Sequence, residues 1–150
     1  MISYKIASEN DMKDLMQIRM EMLKERYGLP ADHKFDYKFI MSTKNYFENE
    51  DHITVLSVDE DVVIGCATAC FYKMMPTYEH PEDRRGCITN VFVAPRYRRL
   101  GVATQMVDIL LDMTKSKKVS EINAYTTEEA KGLYDKFGFT GSEDLMILSI

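Results

Sequence analysis

The stretch ITNVFVAPRYRRLGVAT, residues 88–104, decides how this chain is read. Its first seven residues, Ile88–Ala94, form an apolar, β-branched run that Pro95 stops, as at the end of a strand. A short basic turn with Arg96, Arg98, Arg99 and Gly101 follows and opens onto a helix. The apolar face of that helix is Ala103, Met106, Val107, Leu110, Leu111 and Met113, and the lysine-rich Lys115–Lys118 suits its C-terminal end. A helix N-terminus carries unpaired N–H groups and the positive end of the macrodipole, both of which attract an anion. The three arginines add charge, Gly101 lets backbone approach a ligand closely, Ala103 keeps the first turn small and Thr104 adds a hydroxyl. These are the parts of a pyrophosphate cradle. The stretch is neither a P-loop nor a dinucleotide fingerprint, because it lacks Gly-Lys-Ser/Thr and three spaced glycines. Taken alone, it is equally readable as a solvated basic turn before an ordinary helix.

Upstream, Ile2, Tyr4 and Ile6 alternate as a short first strand, and Ser8 and Asn10 offer caps. Met12, Leu15, Met16, Met22 and Leu23 give a helix between Asp11 and Tyr27, ended by Gly28-Leu29-Pro30. Residues 35–49 carry a weaker pattern, expected to be a broken helix. Ile53–Val58 and Val62–Tyr72, separated by Asp59-Glu60-Asp61, read as an antiparallel hairpin. Residues 74–86, MMPTYEHPEDRRG, read as a long functional loop. Downstream, Val119–Tyr125 is a strand. Ala130, Leu133, Tyr134 and Phe137 mark a short helix closed by Gly138, and Leu145–Ile150 reads as a terminal strand. The order β-α-α-β-β-β-α-β-α-β, without linkers or repeats, makes residues 1–150 one α/β or α+β domain.

The 24 acidic and 19 basic side chains give a net charge of −5, which argues against a general nucleic-acid binder and suits a cationic acceptor. Cys66, Cys70 and Cys87 show no disulfide pattern, so a reducing cytoplasm is expected. Cys66 and Cys70, four residues apart on one strand, sit roughly 13 Å from each other, too far to share a metal. The three histidines are scattered, so no metal site is expected. The N-terminus lacks a signal-peptide pattern and no apolar run reaches membrane-spanning length, so no membrane association is expected.

A second segment, GLYDKFGF (132–139), lies beyond the next strand. With it, the chain resembles the GCN5-related N-acetyltransferase family. That family's signature, Arg/Gln-x-x-Gly-x-Gly/Ala after a strand ending in a Val-x-Pro turn, is matched by Val93-Ala94-Pro95 and Arg98-Arg99-Leu100-Gly101-Val102-Ala103. Its late Leu-Tyr-x-Lys-x-Gly-Phe segment is matched by Leu133–Phe139. Element order extends the resemblance over essentially the whole chain.

The resemblance implies a mixed, mostly antiparallel sheet whose fourth and fifth strands splay apart around acetyl-CoA. Backbone at Phe92 and Val93 would pair with pantetheine. N–H groups of Arg98, Arg99, Leu100, Gly101, Val102 and Ala103, helped by Thr104 and the arginines, would hold the pyrophosphate. A bulge at Asn90, Val91 and Phe92 would polarise the thioester carbonyl. Tyr134, a phenol with an ordinary pKa near 10, would be a protonated donor to the departing thiolate. Thr127 stands where relatives often carry a pantetheine-contacting Asn, and a hydroxyl replaces only part of that amide.

The expected activity is direct transfer of an acetyl group from acetyl-CoA to a primary amine of a small molecule or peptide. Strand four holds no carboxylate, which leaves a loop residue such as Glu79 or Glu82 as base and also admits a non-catalytic acyl-CoA-binding module. Glu21, Glu25, Glu79, Glu82 and Asp83 are expected to give the acceptor side an acidic character. A homodimer fits the family, with no interface marked in the sequence. An unrelated phosphate-binding α/β protein accounts for the basic turn alone.

Overall fold

The computed structural model describes all 150 residues. Five strands form one sheet in the order β1-β2-β3-β4-β5: β1 Ile2–Ile6, β2 His52–Asp59, β3 Val62–Lys73, β4 Arg84–Val93 and β5 Glu121–Ala124. Neighbours are antiparallel except β4 and β5, which run parallel because α3 (Val102–Thr114) crosses between them. Glu60 and Asp61, both at positive φ, make the tight turn of the β2–β3 hairpin. The remaining helices are α1 (Met12–Arg26), α2 (Tyr37–Asn49) and the short α4 (Lys131–Asp135). The mixed sheet flanked by helices is the expected architecture.

Each face of the sheet has its own apolar cluster. On one, Val102, Met106, Val107 and Leu110 of α3 pack on Ile53, Val55, Ala67, Ala69, Ile88 and Val93, with Tyr134 of α4 at the margin. On the other, Leu15 and Ile18 of α1 pack on Leu56, Cys66 and Phe92. Alternation along β2 explains the division: Ile53 and Val55 point to α3, and Leu56 points to α1.

Strand β4 departs from simple alternation at one point. Thr68 pairs with Thr89 but Cys66 pairs with Phe92, so β4 holds one residue more than β3 between those pairs. The extra residue is accommodated at Asn90, whose φ of 55° is one that Asn tolerates better than most side chains. Thr89 and Asn90 consequently face the α1 side together, and Val91 and Val93 return to the α3 core. A regular strand would instead bury the Asn90 amide among aliphatics.

Strands β4 and β5 pair only from Arg85–Ile88 to Glu121–Ala124, so the second half of β4, from Asn90 to Val93, has no neighbour on that side. This is the splay on which a cleft depends. Gly65 of β3 keeps that half close: a Cβ there would lie 2.6 Å from Ser57 Oγ and 2.7 Å from the Phe92 carbonyl oxygen.

Three expectations are corrected. Residues 37–49 form one unbroken helix, begun by the Asp36 carboxylate, which accepts from the Lys38 N–H. The loop ends at residue 83, not 86, because Arg84 and Arg85 pair with Lys73 and Tyr72. Arg85 is only 2% exposed, its guanidinium donating to the carbonyl oxygens of His80, Glu82 and Arg84 and to Ser120 Oγ. Two adjacent arginines read as loop, yet one of them ties the loop to the sheet. Finally, Leu145–Ile150 form no strand; they pair with nothing and are exposed, since alternation alone cannot make a strand without an adjacent ladder. No helix is long and apolar enough to cross a membrane.

Candidate active site

The site is built where β4 hands over to α3. Pro95–Tyr97 form a single tight turn, and Arg99 and Gly101 then adopt φ of 60° and 80°. These left-handed residues swing the chain into the helix and leave the backbone N–H groups of Arg99, Leu100, Gly101, Val102, Ala103 and Thr104 without any acceptor in the protein. The first helical N–H to find one is that of Gln105, bound to the Gly101 carbonyl. Six successive unpaired donors at a dipole's positive end fit a polyanion such as the CoA pyrophosphate.

The arginines divide their work. Arg98 is turned away from the cradle: Nε donates to the Val93 carbonyl oxygen at 2.8 Å, Nη2 reaches Glu25 Oε1 at 2.6 Å, and the guanidinium lies over the Phe92 ring. Arg96 lies over Tyr97, whose hydroxyl donates to Asp59 Oδ2. Arg99 has no ion-pair partner and is exposed, which leaves it free beside the cradle. Thr104 is half-buried in the first turn. Thr127 Oγ1 accepts from the Ala130 N–H in the turn that precedes α4, with its own proton free to donate.

Tyr134 sits on α4 at the margin of the α3-side core, 5% exposed and edge-on to Phe139. Burial pushes its phenol up to about 12, and its hydroxyl makes no hydrogen bond within the protein. It is therefore held protonated with a free O–H. At the bulge, the Cys66 thiol donates to the Asn90 carbonyl oxygen at 3.1 Å, and burial pushes that thiol up to about 12.

On the α1 side of the bulge lies a cavity of about 300 Å³, lined by Arg19, Ser42, Thr43, Tyr46, Phe47, Thr68, Cys70, Thr89 and Asn90. A chain of hydrogen bonds runs through its wall. The Phe47 carbonyl can only accept, so His52 Nε2 donates to it and His52 Nδ1 accepts from Thr54 Oγ1. Thr54 then accepts from Thr68 Oγ1, and Thr68 accepts from Asn90 Nδ2. Asn90 Oδ1 is left facing the cavity, where Arg19 Nη1 donates to it at 3.2 Å.

None of the expected acidic residues lines this cavity. Glu25 is engaged by Arg98, and Glu21 lies on a separate surface of α1. Glu79, Glu82 and Asp83 belong to the loop before Arg84, at the far end of β4; six residues of strand put that end roughly 20 Å from Asn90. The one charged side chain lining this cavity is basic, Arg19. Its signal was present in the sequence: Arg19 is four residues after Leu15 and so lies on the apolar face of α1, where a charge needs a reason. No group of His, Cys, Asp and Glu is arranged to hold a metal ion.

A splayed sheet, an anion cradle at the head of α3 and a cavity meeting them at a bulge define an acyl-transfer scaffold, and the profile of the Acetyltransferase (GNAT) family matches residues 12–139. The chain belongs to that family. It is similar to a Bacillus subtilis (strain 168) protein named as a putative acetyltransferase, 24% identical over 95% of this chain and 86% of the relative. Among solved structures, a predicted acetyltransferase from Clostridium acetobutylicum, crystallised with acetyl-CoA, superposes with a TM-score of 0.86 at 26% identity, covering 99% of this chain and 96% of that one. An aminoglycoside acetyltransferase from an uncultured soil metagenomic sample, in complex with sisomicin, shares the fold: TM-score 0.73, 12% identity, 99% and 95% covered.

Proposed function

We propose that this protein transfers an acetyl group from acetyl-CoA to the primary amine of a small molecule, by direct attack while both substrates are bound. The observation that carries this is the run of six unpaired N–H groups from Arg99 to Thr104, placed at the open end of the β4–β5 seam. Bound there, acetyl-CoA supplies an activated acetyl thioester. The cradle holds the pyrophosphate with Arg99 and Thr104 beside it, the edge of β4 at Phe92 and Val93, beyond the last pair with β5, aligns the pantetheine amides, and Thr127 offers its O–H.

The bulge at Asn90, Val91 and Phe92 turns backbone dipoles toward the carbonyl and stabilises charge building on its oxygen. Tyr134 holds its proton for the sulfur. As the C–N bond forms and the C–S bond breaks, the Tyr134 O–H protonates the departing thiolate, and the proton shed by the amine restores the phenol through solvent. No carboxylate lines the cavity, so the amine enters in its neutral form and needs no Asp or Glu base. In this reading Glu79 and Glu82 have no direct role. The three free cysteines suit a reducing cytoplasm.

The test is incubation of the purified protein and acetyl-CoA with a broad panel of primary amines, read by mass spectrometry. Enzyme-dependent gain of one acetyl group is expected for a subset of small amines. Calorimetric binding of CoA with no acetylation of any amine would instead define an acyl-CoA-binding module, the reading favoured by the missing carboxylate.

A further inference from the structure

The cavity on the α1 side of the bulge has one feature that acetyl transfer does not require. Arg19 is half-buried in its wall, yet no Asp or Glu pairs with it. Its only protein partner is Asn90 Oδ1, which leaves four of five guanidinium N–H groups unused. Partly desolvating a cation without a carboxylate is costly, and a fold that needed only packing would place an apolar side chain there. The chain from Phe47 through His52, Thr54 and Thr68 fixes the Asn90 amide so that its oxygen holds Arg19 in place. The remaining charged and titratable surroundings do not neutralise it: the Tyr46 phenol and the Cys70 thiol are both pushed up by burial and stay uncharged. Ser42, Thr43 and Thr89 add hydroxyls near the same space.

We infer that Arg19 is a carboxylate receptor and that the acceptor is a small amino acid-like compound, bearing its amine and a carboxylate on one compact skeleton. This rests on the acetyltransferase reading and narrows its substrate class. One guanidinium fork matches one planar carboxylate, whereas a phosphate dianion calls for a second cation that the cavity lacks. The volume, about 300 Å³, is at the small end of ligand pockets, and the absence of carboxylates makes it a poor host for a polycationic amine. Because Arg19 is bound to Asn90 at the bulge, a carboxylate on its free N–H groups brings the attached amine to the end of the cavity where the thioester carbonyl is expected.

The test compares matched pairs: L-amino acids against the amines left by removing their carboxyl groups, with aminoalkyl phosphates as a third arm. Acetylation is followed with wild type, Arg19→Lys and Arg19→Met, and binding to the CoA-saturated protein is measured by calorimetry. Wild type is expected to favour the carboxylate-bearing member about 10- to 100-fold in kcat/KM, the range of a charge-assisted hydrogen-bonded contact. Arg19→Met should abolish that preference, so that the two members of each pair are used at similar rates, while CoA binding, which does not involve Arg19, is retained; Arg19→Lys should retain part of the preference. Equal or better use of decarboxylated amines by wild type overturns the proposal, as does preference for the phosphates or an unchanged ratio in Arg19→Met. If nothing is acetylated but amino acids bind in an Arg19-dependent way, the carboxylate site stands and the transfer chemistry falls. If amines are acetylated and no carboxylate binds, the reverse holds.

Discussion

Arg98 Nε donates to the carbonyl oxygen of Val93 across 2.8 Å, bridging the end of β4 to the turn that enters α3. The residue that heads the family signature thus fastens the backbone cradle from behind, and its ion pair with Glu25 carries the same tie onward to α1.

Removing that fastening should loosen the cradle more than the fold. Arg98→Met is expected to raise KM for acetyl-CoA about tenfold, the scale of one charge-assisted hydrogen bond, with a smaller change in kcat. Glu25→Gln keeps the bond to Val93 and loses a pair that is over 40% exposed on both sides. Its cost in urea denaturation should be at most about 1 kcal/mol.

Gly65→Ala should be far more damaging than its position in mid-strand suggests. The new methyl meets the Phe92 carbonyl oxygen and Ser57 Oγ at distances that force backbone apart. A loss of about 1–3 kcal/mol in a denaturant titration is expected. Because the displaced atom belongs to the bulge segment, turnover should fall further than stability alone explains.

Tyr134→Phe removes one oxygen and leaves the ring packed on Phe139. For a general acid, kcat should drop about 10²- to 10⁴-fold with little change in KM or melting temperature. The rate of the wild-type protein should rise with pH as the amine loses its proton, with no downturn from Tyr134 until the phenol approaches about 12. A variant rate within twofold of wild type removes Tyr134 from the mechanism.

Alkaline pH should destabilise the fold. Burial raises Cys66 from 9.0 to about 12, Cys87 from 9.0 to about 11 and Tyr134 from 10.0 to about 12. Each group is neutral in both states below its unfolded value, so nothing is lost there. Above pH 9 the unfolded chain releases protons that the folded one keeps, and stability declines from about pH 9 through about pH 12. Urea midpoints at pH 8 and pH 10.5 test this, and Cys66→Ala should flatten the decline.

The strand–turn–helix was readable because its parts are local: an apolar run, a proline stop, a glycine and a 3.6-residue period. The resemblance carried the bulge to Asn90–Phe92, where a single frame of alternation breaks between Thr89 and Asn90. What escaped the sequence depends on distant partners. Arg85 reads as loop until Ser120 and the carbonyl oxygens of His80 and Glu82 surround it. Leu145–Ile150 alternate like a strand and have no neighbour to make them one. The acidic residues looked like an acceptor site by count, but β4 carries Glu79 and Glu82 away from the bulge while α1 brings Arg19 to it.

Helix α3 fills the core with Met106, Val107 and Leu110 and also ends in the cradle of unsatisfied donors. Its two ends are one rigid object, so an anion seated at Gly101 acts on the whole domain. At a ligand concentration one hundred times its dissociation constant, the native state gains about 2.7 kcal/mol. Resistance to proteolysis should therefore report the abundance of free and acylated CoA around the protein. The chain would persist where CoA, free or acylated, is plentiful and be cleared where both are scarce.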